Sequence, residues 1–263
     1  MPAKLGQHFL ADASAARTIV QAAELGAGKT VVEIGPGRGA LTSELIATGC
    51  RVVAVEMDRA LAALLRRTFA EAASLELHES DFLSFDLAPY EKARPAVVGN
   101  LPYAAASPIL QKVLAWPFWS TAVFMFQKEV AERLTAEPGC ADYGVLTLSR
   151  WAKSDAELVL ELGSESFRPR PRVSSSVIRF RRLESPRVPA RDEALFFRVA
   201  KAAFQERRKM AVGAMARLLD IPRSRVEAAF RELRLDLELR AQDIPPEAYR
   251  ELPARLGLHA ASV

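Results

Sequence analysis

Six short apolar runs separated by helix-patterned segments confine this chain to very few folds. The runs cover residues 30–34, 51–56, 75–78, 96–98, 122–126 and 157–162 and are rich in Val, Leu and Phe. Between them, residues 40–47, 59–71, 108–114 and 128–134 carry helical patterning. Buried strands alternating with helices predict an α/β domain around a mostly parallel sheet. Ser14 is predicted to cap a helix that reaches Glu24, ahead of the first strand.

The alternation stops at residues 164–173, where Pro169 and Pro171 interrupt it. Residues 173–183 then alternate like an exposed or edge strand. Beyond Pro186 and Pro189 the pattern is amphipathic helix, over 193–204, 207–219, 224–233 and 246–252. We therefore expect one domain over residues 1–186 and a small helical domain over 187–263. The chain has 263 residues, half of them hydrophobic, enough for one full core and a smaller one.

Several classes are disfavoured. A bilayer-spanning helix needs an apolar run of about 18 residues, and the chain has none. The first residues lack a secretory leader's apolar stretch. Cys50 and Cys140 make no disulfide framework, as expected of a cytoplasmic protein. His8, His78 and His259 are too scattered to hold a metal, and none is expected. Charge is uneven. Residues 1–165 hold 15 Lys and Arg against 20 Asp and Glu, a net of −5; residues 166–217 hold 14 against 4, a net of +10; the remainder holds 7 against 8, a net of −1. Such a basic block fits either a polyanion partner or a solvated face.

Glu33, Ile34, Gly35, Pro36, Gly37, Arg38 and Gly39 join a strand to a helix. Glycines there allow a sharp turn and close approach of a ligand, and the helix N-terminus adds unpaired N–H groups. The spacing G-x-G-x-G, with an acid two residues ahead, departs from the dinucleotide fingerprint G-x-G-x-x-G and fits a methyltransferase. Glu56 ends the second strand, placed to accept bonds from ribose hydroxyls. Asp81 and Phe82 follow the third strand, as a carboxylate and a ring suited to adenine. After the fourth strand come Asn100, Leu101, Pro102 and Tyr103. An adenine amine is a poor nucleophile because its lone pair is delocalised. An Asn oxygen and the Leu101 carbonyl are suited to accept its two hydrogens, with Pro102 stiffening the loop and Tyr103 stacking on the base. Positioning and electrostatics then carry the rate.

These residues resemble the ribosomal RNA small-subunit adenine dimethyltransferase family, the KsgA-like enzymes. The resemblance extends to Gly6, Gln7, His8, Phe9 and Leu10, to Gln127, Lys128 and Glu129, and to Tyr143 and Gly144. It also takes in the segment 167–173, and Phe204 with Arg207, Arg208 and Lys209. It implies a Rossmann-like class I methyltransferase domain with a helical C-terminal domain that binds rRNA. It implies that Gln7, His8, Leu10, Gly35, Gly37, Glu56, Met57, Asp81, Phe82 and Asn100 contact S-adenosyl-L-methionine, with S-adenosyl-L-homocysteine as product. Asn100, Leu101, Pro102 and Tyr103 then form the catalytic segment, with Tyr103 and Phe167 bracketing the target base. Arg168, Arg170, Arg172, Arg207, Arg208 and Lys209 are expected to bind RNA. The family makes N6,N6-dimethyladenine on two adjacent adenines near the 3′ end of small-subunit rRNA, within an immature small subunit, and a monomer is expected. Ala104, Ala105 and Ala106 depart from the polar residue that relatives often carry after the Tyr. The alternatives are an erythromycin-resistance-type enzyme of large-subunit rRNA, a DNA adenine methyltransferase, and a non-catalytic ribosome-assembly factor.

Overall fold

The computed structural model describes residues 8–259; Gln7 and Gly6 of the expected N-terminal motif lie outside them. A two-stranded ladder pairs β1 (Phe9–Leu10) with β8 (Phe167–Arg168). Seven further strands form one sheet. They are β2 (Thr30–Ile34), β3 (Arg51–Glu56), β4 (Leu75–Glu79), β5 (Ala96–Asn100), β6 (Thr121–Gln127), β7 (Ser154–Leu162) and β9 (Ser175–Arg182). Their order across the sheet is β4-β3-β2-β5-β6-β9-β7. The first five run parallel, and β9 is antiparallel to β6.

Period-two alternation explains the core. Val52 and Ala54, Ala96 and Val98, and Val123 and Met125 point to one face, where they pack with Ile19 and Val20 of α1 (Ala13–Ala22) and Leu41 and Leu45 of α2 (Ala40–Ala47). Helices α3 (Arg59–Thr68), α4 (Ala106–Ala115) and α5 (Lys128–Thr135) come after β3, β5 and β6. Phe124, Phe126 and Phe180 make edge-on and tilted ring contacts from the alternate positions. The chain adds β3 and β4 on one side of β2, then returns to add β5 and β6 on the other. That reversal between β2 and β5 is a topological switch point, where a crevice opens beyond the strand ends.

Three local expectations change. The cap of α1 is Asp12, whose carboxylate accepts from the Ser14 and Ala15 N–H groups at 2.9 and 3.1 Å; Ser14 lies inside the helix. Residues 175–182 form an internal strand, with β7 outside it at the edge. Residues 207–210 are turn and bridge, and α8 begins only at Ala211 (Ala211–Leu219).

The described residues divide into two compact units, one of residues 8–131 and 156–182, the other of 132–155 and 183–259. The expected contiguous boundary at 186/187 thus gives way to a discontinuous one. Within the helical unit, Arg187 shows why residues 151–155 belong with the segment beyond 183. Its guanidinium donates to the Trp151 carbonyl at 2.8 Å and to Asp155 at 2.5 Å. A helix not expected from the sequence, α6 (Val145–Lys153), contributes Leu148, Trp151 and Ala152 to the same core. The others are α7 (Glu193–Phe204), α8, α9 (Arg223–Glu232) and α10 (Pro246–Arg255).

Candidate active site

Strand register brings the motif residues together. Ile34 of β2 stands beside Gly99 of β5, so the glycine loop and Asn100 leave neighbouring strand ends at the switch point. Gly99 permits this closeness: a Cβ there would lie 2.8 Å from the Ile34 carbonyl oxygen. Gly37 has φ +60°, and a Cβ on it would meet the Phe9 ring at 3.0 Å. The resulting cleft encloses about 1070 Å³ including its open mouth. No group of three or more His, Cys, Asp or Glu suited to a metal occurs among the described residues.

Acceptors face the cleft from successive strand ends. Glu33 is fully buried; one carboxylate oxygen accepts from the Thr42 hydroxyl at 2.7 Å, while Oε1 has no partner. Burial pushes its carboxyl up to about 8, against the Thr42 bond. Glu56, 4 % exposed, accepts from the Gly37 N–H at 3.0 Å and the Asp58 N–H at 2.8 Å. Burial raises its carboxyl above the usual range even so. Met57 is 60 % exposed and lines the cleft beside it. Asp81 is exposed, with Oδ1 accepting from the Leu83 N–H at 2.9 Å, and Phe82 is buried next to it.

At the other end, Asn100 Nδ2 donates to the His8 carbonyl at 3.0 Å. A carbonyl only accepts, so it selects the amide's NH₂ and directs Oδ1 the other way. His8 is held in turn through Nδ1, 2.8 Å from the Pro169 carbonyl. Its ring lies 5.8 Å from that of Tyr103, whose hydroxyl meets buried Ser175 at 3.1 Å. Leu101 is buried and Pro102 exposed along the same wall.

Of the expected site residues, His8, Leu10, Gly35, Gly37, Glu56, Met57, Asp81, Phe82, Asn100, Leu101, Pro102 and Tyr103 all line this cleft. Phe167 does not. The β1–β8 ladder pairs it with Leu10 and turns its ring into the core, where it is 1 % exposed. The basic set divides as well. Arg207 donates to the carbonyls of Ala141 and Tyr143 at 2.5 and 3.0 Å, and Lys209 pairs with Glu206 at 3.0 Å. Arg168 donates to the carbonyls of Glu165 and Phe167, both at 2.8 Å. Arg170, Arg172 and Arg208 are exposed. Glu33 was missed as a site residue although its signal was visible, as the acid preceding the glycine loop.

The parallel sheet, the glycine loop at its switch point and the acids at successive strand ends define a class I methyltransferase. The model of the family Ribosomal RNA adenine dimethylase matches residues 2–255, and the chain belongs to that family: it is an rRNA adenine dimethyltransferase. It is 42% identical over 255 residues to Ribosomal RNA small subunit methyltransferase A of Myxococcus xanthus (strain DK1622), covering 96% of this chain and 89% of the relative. The protein of the same name from Cereibacter sphaeroides (strain ATCC 17029 / ATH 2.4.9) is 39% identical over 260 residues, covering 97% and 91%. Among solved structures, 23S rRNA methyltransferase ErmE is 30% identical with a TM-score of 0.76, covering 95% of this chain and 99% of that one. A dimethyladenosine transferase from Plasmodium falciparum, 22% identical, shares the fold with a TM-score of 0.83 over 96% and 99%.

Proposed function

We propose that the cleft binds S-adenosylmethionine and that the enzyme dimethylates N6 of two adjacent adenines near the 3′ end of small-subunit rRNA, acting as a cytoplasmic monomer on an immature subunit. The observation that carries the chemistry is the Asn100 amide, locked by the His8 carbonyl beside the glycine loop. The cofactor fits the residues present. Glu33 Oε1 is a buried acceptor without a partner, suited to an ammonium, and Glu56 and Asp81 are placed for ribose and adenine. When bound, S-adenosylmethionine supplies an electrophilic methyl on a sulfonium and departs as S-adenosylhomocysteine.

The protein's own contribution is positional. Asn100 Oδ1 and the Leu101 carbonyl accept the amine's hydrogens and turn its lone pair out of conjugation. Tyr103, anchored at Ser175, supplies a face for a base removed from its stack. Attack makes the amine acidic, so its proton leaves afterwards without a strong base. Arg170, Arg172 and Arg208 are the cations we assign to phosphate contacts.

The small subunit is favoured over the large one by the names of the relatives at 39–42% identity, against 30% for the 23S enzyme. The twelve expected residues that line the cleft favour activity over a purely architectural role. The test is incorporation of labelled methyl groups into immature small subunits, large subunits and naked rRNA. Label confined to small subunits is expected. Preferential labelling of large subunits would replace this reading with the erythromycin-resistance type.

A further inference from the structure

Lys112 lies in none of the sequence motifs and does not line the cleft. It sits on α4, the helix that comes after the catalytic segment. Its ammonium donates to the carbonyls of Phe82, Leu83 and Phe85 at 2.7, 3.0 and 2.6 Å, and lies 5.0 Å from the centre of the Phe82 ring. An ammonium has three N–H groups, so these bonds use it completely. A half-buried cation is costly unless its donors are satisfied; here every donor goes to the backbone of one turn. Burial lowers its affinity for the proton, opposed by the charges of Asp81 and Asp86.

That turn carries Asp81 and Phe82 into the cleft, and Asp81 Oδ1 already caps the turn through the Leu83 N–H. On its other side the Phe85 ring packs 4.9 Å from His78 and 6.0 Å from Tyr90. Ala105 and Ile109, at the start of α4, line the same cleft. Lys112 is thus the bolt between the Asp81 turn and the helix that continues from Asn100–Tyr103. Its loss unpins one side of the turn while the aromatic contacts keep the other.

We propose that Lys112 is a positioning residue for cofactor selection: by clamping the Phe82–Phe85 turn to α4 it fixes the Asp81 carboxylate where it accepts from the exocyclic amine of the cofactor's adenine. This rests on the reading of the cleft as the adenosyl site. The experiment measures dissociation constants for S-adenosylhomocysteine and for its analogue lacking the 6-amino group, with wild type, Lys112→Met, Lys112→Arg, Asp81→Ala and the double variant Lys112→Met/Asp81→Ala. Wild type should prefer the amine-bearing ligand by roughly tenfold or more, the worth of a bond to a charged acceptor. Lys112→Met should cut that preference to within about twofold by weakening only the amine-bearing ligand, Lys112→Arg should restore part of it, and the double variant should bind no worse than Asp81→Ala, because the two residues act through one bond. Equal weakening of both ligands, or additive effects in the double variant, would overturn the proposal. Failure of wild type to bind S-adenosylhomocysteine would instead overturn the cofactor reading. Lys112→Gln, which keeps two N–H donors, carries the same measurement if Lys112→Met does not fold.

Discussion

Motif residues of the sheet unit and of the helical unit differ in what their polar and aromatic groups have left to do. In the cleft, Glu33 Oε1 is buried without a partner, and the Asn100 amide is bonded on its NH₂ side to His8. In the helical unit the motif rings and Arg207 consume one another, while the buried Tyr143 hydroxyl has no partner and Arg208 is exposed. Tyr143 packs against Phe204 at 5.9 Å, Phe204 stacks on Tyr249 at 5.7 Å, and Arg207 spans the Phe204 ring while bonding two carbonyls. An unpaired acceptor at the cleft is open to a ligand, whereas a guanidinium bonded to two backbone carbonyls of its own unit, as in Arg207, serves the fold. Both read alike in a sequence.

The largest effect expected is that of Asn100→Asp. The substitution keeps an acceptor oxygen but removes the donor to His8 and sets a carboxylate against a carbonyl. Methyl transfer should fall about 10²–10³-fold, as when one positioned transition-state contact is lost, with binding of S-adenosylhomocysteine largely retained. Near-normal turnover would show that the His8–Asn100 link does not orient the site.

Arg207→Ala should act on stability instead. Bonds to charged groups are worth about 1.5–3 kcal/mol each, discounted here because Arg207 is partly exposed. A lowered Tm with normal specific activity below it is the expected pattern. Arg208→Ala should do the reverse, leaving Tm unchanged and reducing the salt slope of subunit binding by about 0.7–0.9. If Arg207→Ala flattens that slope without loss of Tm, the contrast between the units fails.

Phe167→Leu comes next. A core ring replaced by a smaller side chain costs on the order of 1 kcal/mol, seen as a Tm lower by roughly 2–4 °C in a chain of this size. Specific activity should stay the same. A normal Tm with slowed methylation would return Phe167 to the target base.

The remaining effect is on pH dependence. Folded Glu33 keeps its proton to about pH 8, against a usual 4.5. The folded state therefore binds more protons than the unfolded one between those values, and this group's contribution to stability declines as pH rises through that window. Glu33→Gln is neutral throughout and removes the decline. Relative to wild type, the ligand-free variant should gain in Tm from pH 5 to pH 8.5. A parallel pair of Tm curves would mean that Glu33 is ionised in the fold.

The strands and the cleft were legible because burial there follows composition. β2 and β3 coincide with the expected runs, since parallel strands covered on both faces read as unbroken apolar stretches. Their ends carry the acids and glycines, which is why twelve expected residues meet in one cleft. The helix α6 escaped because buried Thr147 and Ser149 interrupt its apolar face. The place of β9 inside the sheet depends on β7 pairing beyond it, a long-range choice that its own alternation does not reveal. Phe167 failed for a related reason: a two-residue ladder decides which way its ring points, and no periodicity marks a strand so short. Lys112 had no local signal, because its three acceptors lie 27–30 residues away.

The most direct test of the central claim is nuclease digestion and mass mapping of small-subunit rRNA after reaction with wild type and with Asn100→Asp. The expected product is N6,N6-dimethyladenine at two adjacent positions near the 3′ end with wild type, and almost none with the variant. Methyl groups on ring nitrogens, on ribose or on another base would contradict the account of Asn100 as the acceptor that holds an adenine amine.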